Sequence, residues 1–121
     1  MPNKPLGQNK TIGNIAERLV MRELKKQGLN PKMADVKKGY DIKAGKFIVE
    51  VKGTENLDPS FFLLSKEEFH TACKNKNYRL YWVNTKRRKI IKILSQKDVL
   101  EQSNVYIGYR LYLSSFKKVK D

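Results

Sequence analysis

The sequence predicts an α/β domain, and three observations carry that prediction. Apolar residues recur at three- and four-residue spacings through Ile12, Ile15, Ala16, Leu19, Val20 and Leu24, the period of one helix face. Two short runs, one opening at Asp41 and one carrying Ile48, Val49 and Val51, flank a tight turn at Ala44-Gly45-Lys46, as two strands of a hairpin do. Tyr78-Arg79-Leu80-Tyr81-Trp82-Val83-Asn84 is aromatic and β-branched, the composition of a strand. A chain of 121 residues holds one domain with a modest core.

Taken in order, residues 1–11 are polar with two prolines and Gly7, which reads as a flexible basic arm ahead of a single domain over 12–121. The first helix follows from Ile12. Lys25 and Lys26 suit the negative end of its dipole, Gly28 stops it, and Pro31 bars its continuation. Glu17 lies at the border of its apolar stripe, and Glu23 near the stripe's centre. Met33 to Lys37 reads as a short edge strand, and Lys37-Lys38-Gly39 as a basic turn into the hairpin. Gly53 and Thr54 end the second hairpin strand with room for close approach of a ligand, and a loop with Pro59 follows.

Phe61-Phe62-Leu63-Leu64 is too short an apolar run for a helix. Ser65-Lys66-Glu67-Glu68 then matches a capping box and opens a helix to about Lys74, with Phe69, Ala72 and Cys73 inward. After the Tyr78–Asn84 strand, Thr85-Lys86-Arg87-Arg88 turns the chain into Lys89–Leu94. One or two helical turns over Ser95–Gln102, a tyrosine-rich strand over Val105–Leu113 and the basic tail Lys117-Lys118-Val119-Lys120 complete the order α-β-β-β-α-β-β-α-β.

Charge narrows the function classes. Twenty-six Lys and Arg against 12 Asp and Glu give a formal charge of +14, which predicts salt-dependent attraction to a polyanion, nucleic acid above all. Cys73 stands alone, so an internal disulfide and a cysteine-rich zinc site are excluded, and His70 is the single histidine. No run approaches the roughly 18 apolar residues of a membrane span, and the N-terminus lacks the apolar stretch of a secretory signal. A cytoplasmic protein without membrane attachment is the expectation.

The hairpin carries the chemistry. Glu50 and Lys52 are two apart on one strand and share a face, and Asp41 begins the strand beside them. Two carboxylates and an ammonium at one edge suit a hard divalent cation and a water activated next to it. An E-x-K pair is also compatible with an ordinary surface ion pair, worth about 0–1 kcal/mol. The preceding Asp41, the glycine-bearing turn, the apolar flanks and the following Gly53 favour the cation site, with the Val51 carbonyl as a further oxygen.

These residues resemble the PD-(D/E)xK nuclease superfamily, with Asp41 as its metal-binding aspartate and Glu50-Val51-Lys52 as its E-x-K. Tyr40, where that pattern has proline, departs from it. The wording G-Y-D-I…F-I-V-E-V-K-G-T, then L-L-S-K-E-E-F and Y-R-L-Y-W-V, is similar to the nuclease-like domain at the C-terminus of NO VEIN-type proteins. Size, basicity and the early A-E-R at 16–18 also resemble small archaeal Holliday junction resolvases.

The resemblance implies a restriction-endonuclease-like fold, a central mixed β-sheet flanked by helices. It also implies a further site glutamate from the first helix, Glu17, in G-N-I-A-E-R. Asp41, Glu50, Glu17 and the Val51 carbonyl would hold Mg2+, for which Mn2+ would substitute, and Lys52 would orient the attacking water. The implied activity is DNA endonuclease, either junction-resolving or of restriction or defence type. Lys37, Lys38, Lys46, Arg87 and Arg88 are candidate contacts to the DNA backbone. A resolvase would be a homodimer, with Phe61–Leu64 and Val105–Leu113 as candidate surfaces. A non-catalytic nucleic-acid-binding module keeping the nuclease fold is the alternative, and an RNA-binding accessory protein is a third.

Overall fold

The computed structural model describes residues 4–35 and 38–102, with side chains from residue 11 to residue 101 within those bounds. One five-stranded sheet has the order β1-β2-β3-β4-β5, formed by Pro31–Met33, Ile42–Ala44, Phe47–Thr54, Tyr78–Asn84 and Lys89–Ser95. Neighbours pair antiparallel except β3 and β4, which are parallel, so the sheet is mixed. A parallel pair needs a crossover, and the chain makes it through the segment containing helix α2, Lys66–Lys74. The other helices are α1, Lys4–Lys26, and α3, Gln96–Gln102. Among the described residues no helix is long and apolar enough to cross a membrane.

Period-2 alternation along β3 and β4 divides the core between the two faces. Val49, Val51, Tyr81 and Val83 pack with Ala16, Val20 and Leu24 of α1, while Ile48, Tyr78 and Leu80 pack with Ala72 of α2 and Val99 of α3. Glu50 and Lys52 alternate with Val49 and Val51, so they lie on the α2 side of β3.

Several boundaries differ from expectation, each for a local reason. The first helix begins at Lys4, so residues 4–11, read as an arm, are its first two turns. Pro5 does not prevent this, because a first-turn residue has no intrahelical acceptor for the missing N–H. At the other end Gly28 adopts φ +82°, and the Gly28 and Leu29 amides donate to the Lys25 and Leu24 carbonyls at 3.0 and 3.1 Å, a Schellman stop. Strand β1 covers Pro31–Met33 rather than 33–37, and residues 36 and 37 lie outside the described set. The expected strand at 105–113 and the basic tail also lie outside it.

Gly45, at φ +59°, sits first in the two-residue turn between β2 and β3, the position where a II′ hairpin turn requires glycine. Gly53 has a different task from the one expected. A Cβ there would stand 3.0 Å from Ala16 Cβ and from Ile12 Cγ2, so its missing side chain admits α1, not a ligand. The capping box of α2 is present in full: Glu68 N–H donates to Ser65 Oγ at 3.1 Å, and Ser65 N–H donates to Glu68 Oε1 at 2.8 Å. On that helix Ala72 is buried and Phe69 half-buried, whereas Cys73 is exposed rather than inward, and His70 is exposed.

Candidate functional site

Strand β2 begins at Ile42, which pairs with Val49, and the hairpin ladder reaches no residue before it. Beyond that point the Asp41 N–H still donates to the Val49 carbonyl at 2.9 Å. The next N–H on that edge, of Val51, has no strand carbonyl opposite it, and the Asp41 carboxylate takes it, Oδ2 accepting at 2.8 Å. The end of a short strand thereby fixes Asp41 next to Glu50.

Glu50 is sealed under α2, with 2% of its surface exposed, where an accessible edge was expected. One of its carboxylate oxygens, Oε2, lies 3.4 Å from Lys52 Nζ. The other, Oε1, is buried without a hydrogen-bond partner, and so is the Tyr78 hydroxyl. A buried, unpaired carboxylate oxygen is costly in a folded protein and marks a place for a ligand or a proton.

Lys52 is held between two carboxylates. Besides Glu50, its ammonium donates to Glu68 Oε1 at 3.0 Å, the same oxygen that accepts the Ser65 amide. The capping glutamate of α2 is thus also a site residue, one the sequence reading assigned to the cap alone. From α1, Glu17 is half-buried and feels the Asp41 charge. Four carboxylates and one ammonium therefore concentrate negative charge in a strongly basic chain.

Their acidities follow. Burial, then the charges of Asp41 and Glu68, push the Glu50 carboxyl up to about 9, against a smaller opposing pull from Lys52. Burial likewise raises Asp41, although the Val51 amide opposes it, and burial with the Asp41 charge raises Glu17. Burial alone would lower Lys52, but the Glu50 and Glu68 carboxylates outweigh it and hold the ammonium above its ordinary value. Burial would raise Glu68, yet the Ser65 amide and Lys52 hold it below the usual range. At neutral pH the cation-free site therefore keeps a proton on Glu50 while Lys52 and Glu68 stay charged.

Among the described residues no three His, Cys, Asp or Glu side chains form a ready-made metal cage. A small hard ion would need fewer protein ligands than such a cage. Magnesium takes one or two carboxylates and keeps several waters, so Asp41 and Glu50 could hold one, Glu50 Oε1 being a buried oxygen that no donor reaches.

The expected DNA contacts are not brought together. Lys46 is at the β2–β3 turn, where its ammonium lies 5.4 Å from the Phe47 ring centre. Arg87 and Arg88 are exposed in the β4–β5 turn. Because Thr54 pairs with Asn84 at the far end of β3, that turn and Lys46 occupy opposite ends of the sheet. In the β4–β5 turn, buried Asn84 accepts from the Arg87 amide at 2.9 Å and donates to the Asn56 carbonyl at 2.8 Å. Lys38 is exposed, and Lys37 is outside the described residues.

A mixed sheet with a helix layer on each face, carrying a buried carboxylate–lysine cluster on one central strand, defines an α/β domain with an acidic polar site. The sequence profile of the family described as Protein NO VEIN, C-terminal, matches residues 12–94, and the chain belongs to that family. The match spans Glu17, Asp41, Glu50, Lys52 and Glu68 alike. Comparison with curated proteins gives no match, and neither does comparison with solved structures.

Proposed function

We propose that this domain is a metal-dependent DNA endonuclease of the PD-(D/E)xK kind, with a restriction-endonuclease-like fold. The observation that carries the proposal is the buried Glu50 carboxylate. One oxygen is unpartnered, the other faces Lys52, and Asp41 stands opposite across the hairpin. A purely structural ion pair has no need of a third and fourth carboxylate around it, since each added negative charge raises the cost of burial.

In this reading Asp41 and Glu50 would hold a magnesium ion, with Glu17 and the Val51 carbonyl as further oxygens, and manganese would substitute. Bound there, the ion would polarise a phosphoryl oxygen and lower the pKa of a coordinated water. Lys52, kept protonated and immobile by Glu50 and Glu68, donates toward the attacking water and the developing phosphorane charge. Binding an ion there would require Glu50 to give up its proton. The formal charge of +14 supports a polyanionic substrate.

A second reading, a non-catalytic nucleic-acid-binding module, is favoured by one specific observation. Lys52 already spends two contacts on carboxylates, as in a structural ion-pair network. One experiment separates the two. Wild type and Asp41→Asn are compared on four-way junction, duplex and single-stranded DNA, with Mg2+, with Mn2+ and with EDTA. Metal-dependent cleavage by wild type, lost in Asp41→Asn while binding in EDTA persists, is the expected result. Absence of cleavage on every substrate leaves the binding module. Preference for the junction, with a dimer in solution, would place the domain among resolving enzymes.

A further inference from the structure

Beside the acidic cluster, α1 and β1 border an open cleft of about 560 Å³. Its lining includes Glu17, Arg18, Met21, Arg22 and Lys25 from α1 and Met33 from β1. Arg18, Arg22 and Lys25 are exposed, and none makes an ion pair with another described residue. Their i, i+4, i+7 spacing sets them on one helix face, about 6 and then 4.5 Å apart along the axis. Met33 is 51% exposed, and Met21 is half-buried. Cations on an α1 face thus border a cleft with an apolar thioether on each wall, and its lining includes Glu17, which feels the Asp41 charge.

We propose that this cleft binds an unpaired nucleic-acid strand, with Arg18, Arg22 and Lys25 on successive phosphates and Met21 and Met33 against exposed bases. The inference rests on the nuclease reading for the fate of the strand, though not for its binding. Three cations on one face, none paired with another described residue, complement a phosphodiester backbone, and a largely apolar lining suits bases that are not stacked within a duplex. The volume is that of a short strand segment and far below that of a double helix. The cations stop where Glu17 begins, so a strand lying along α1 would carry a phosphate from a positive wall to the acidic centre. The cleft also supplies what the scattered Lys46, Arg87 and Arg88 do not, cations grouped on one face together with Glu17.

The test uses the full chain with a labelled 12-nucleotide single strand and its duplex, in EDTA, across a range of salt concentrations. The Arg18→Ala/Arg22→Ala/Lys25→Ala variant is compared with a charge-matched Lys74→Ala/Lys76→Ala/Lys92→Ala control at exposed positions outside the cleft, with helicity checked by circular dichroism. The α1 variant is expected to bind the single strand at least about tenfold more weakly, and to flatten the log–log salt slope by about 2, three contacts at roughly 0.7 each. Met33→Glu should weaken the single strand more than the duplex. Unchanged single-strand binding in the α1 variant overturns the proposal, and loss of duplex binding alone overturns its unpaired-strand part. The two readings fail separately. Cleft-dependent binding without cleavage in Mg2+ or Mn2+ retains the cleft and removes the nuclease. Cleavage unaffected by the α1 variant does the reverse.

Discussion

At the scale of single residues, Glu50 concentrates the energetics of the site. Its carboxyl stands at about 9 in the folded chain against an ordinary 4.5, so between those values the folded state holds a proton that the unfolded chain has released. The folded state then binds more protons, and stability falls as pH rises through that window. Cation-free wild type should therefore show a melting temperature declining from about pH 5 to pH 9, with Glu50→Gln flatter across the same range. A wild-type melting temperature that climbs over this range would contradict the assignment. If the site takes magnesium as proposed, the ion would displace the same proton, so calorimetry in buffers of different ionisation enthalpy should register proton release on binding near neutrality. The identities of Asp41, Glu50 and Lys52 were legible in the sequence because strand alternation and a short turn fix their relation. The burial of Glu50 was not, since period-2 spacing places a residue on a face without saying what covers it.

At the scale of elements, α2 has two duties through one side chain. Glu68 closes the capping box by accepting from Ser65 and, 16 residues from Lys52 in sequence, clamps its ammonium. Glutamine serves a capping box as well as glutamate does, so Glu68→Gln separates the duties. The variant should keep its helix and unfold within about 1 kcal/mol of wild type, whereas Ser65→Ala should cost about 1 kcal/mol through the lost cap. Removing the charge lowers the Lys52 pKa, so any cleavage by Glu68→Gln should lose rate on the alkaline side at a lower pH than wild type does. An unshifted alkaline limb would show that Glu68 acts only in the cap. The cap itself was readable from Ser65 and Glu68. Its second use depends on how the crossover drapes α2 over β3, a long-range packing fact that no local pattern encodes. The early start of α1 escaped for the converse reason: prolines and a glycine lower helix propensity, but first-turn placement removes most of proline's penalty.

At the scale of the whole molecule, a domain of formal charge +14 stores self-repulsion that salt relieves. Without nucleic acid, raising ionic strength from ~20 to ~300 mM should increase the melting temperature, while the same change weakens DNA binding. A melting temperature falling with salt would show that surface ion pairs outweigh the repulsion. The hairpin, the helix over 66–74, the strands over 78–84 and 89–94 and the α/β class were legible because each rests on local periodicity and turn chemistry, whereas the edge strand, expected at 33–37, lies at Pro31–Met33. The cleft along α1 was not legible, because Arg18, Arg22 and Lys25 are three cations among 26 until β1 sets Met33 beside them.

The bond from the Val51 amide to Asp41 Oδ2 makes one backbone N–H belong to the sheet and the site together. Flanked by ladder amides whose protection reports the stability of the sheet, it alone should report the state of a carboxylate. Its proton resonance and its deuterium exchange should therefore change on adding magnesium while its neighbours in β3 stay still, giving occupancy of the centre a native spectroscopic label that needs neither substrate nor turnover.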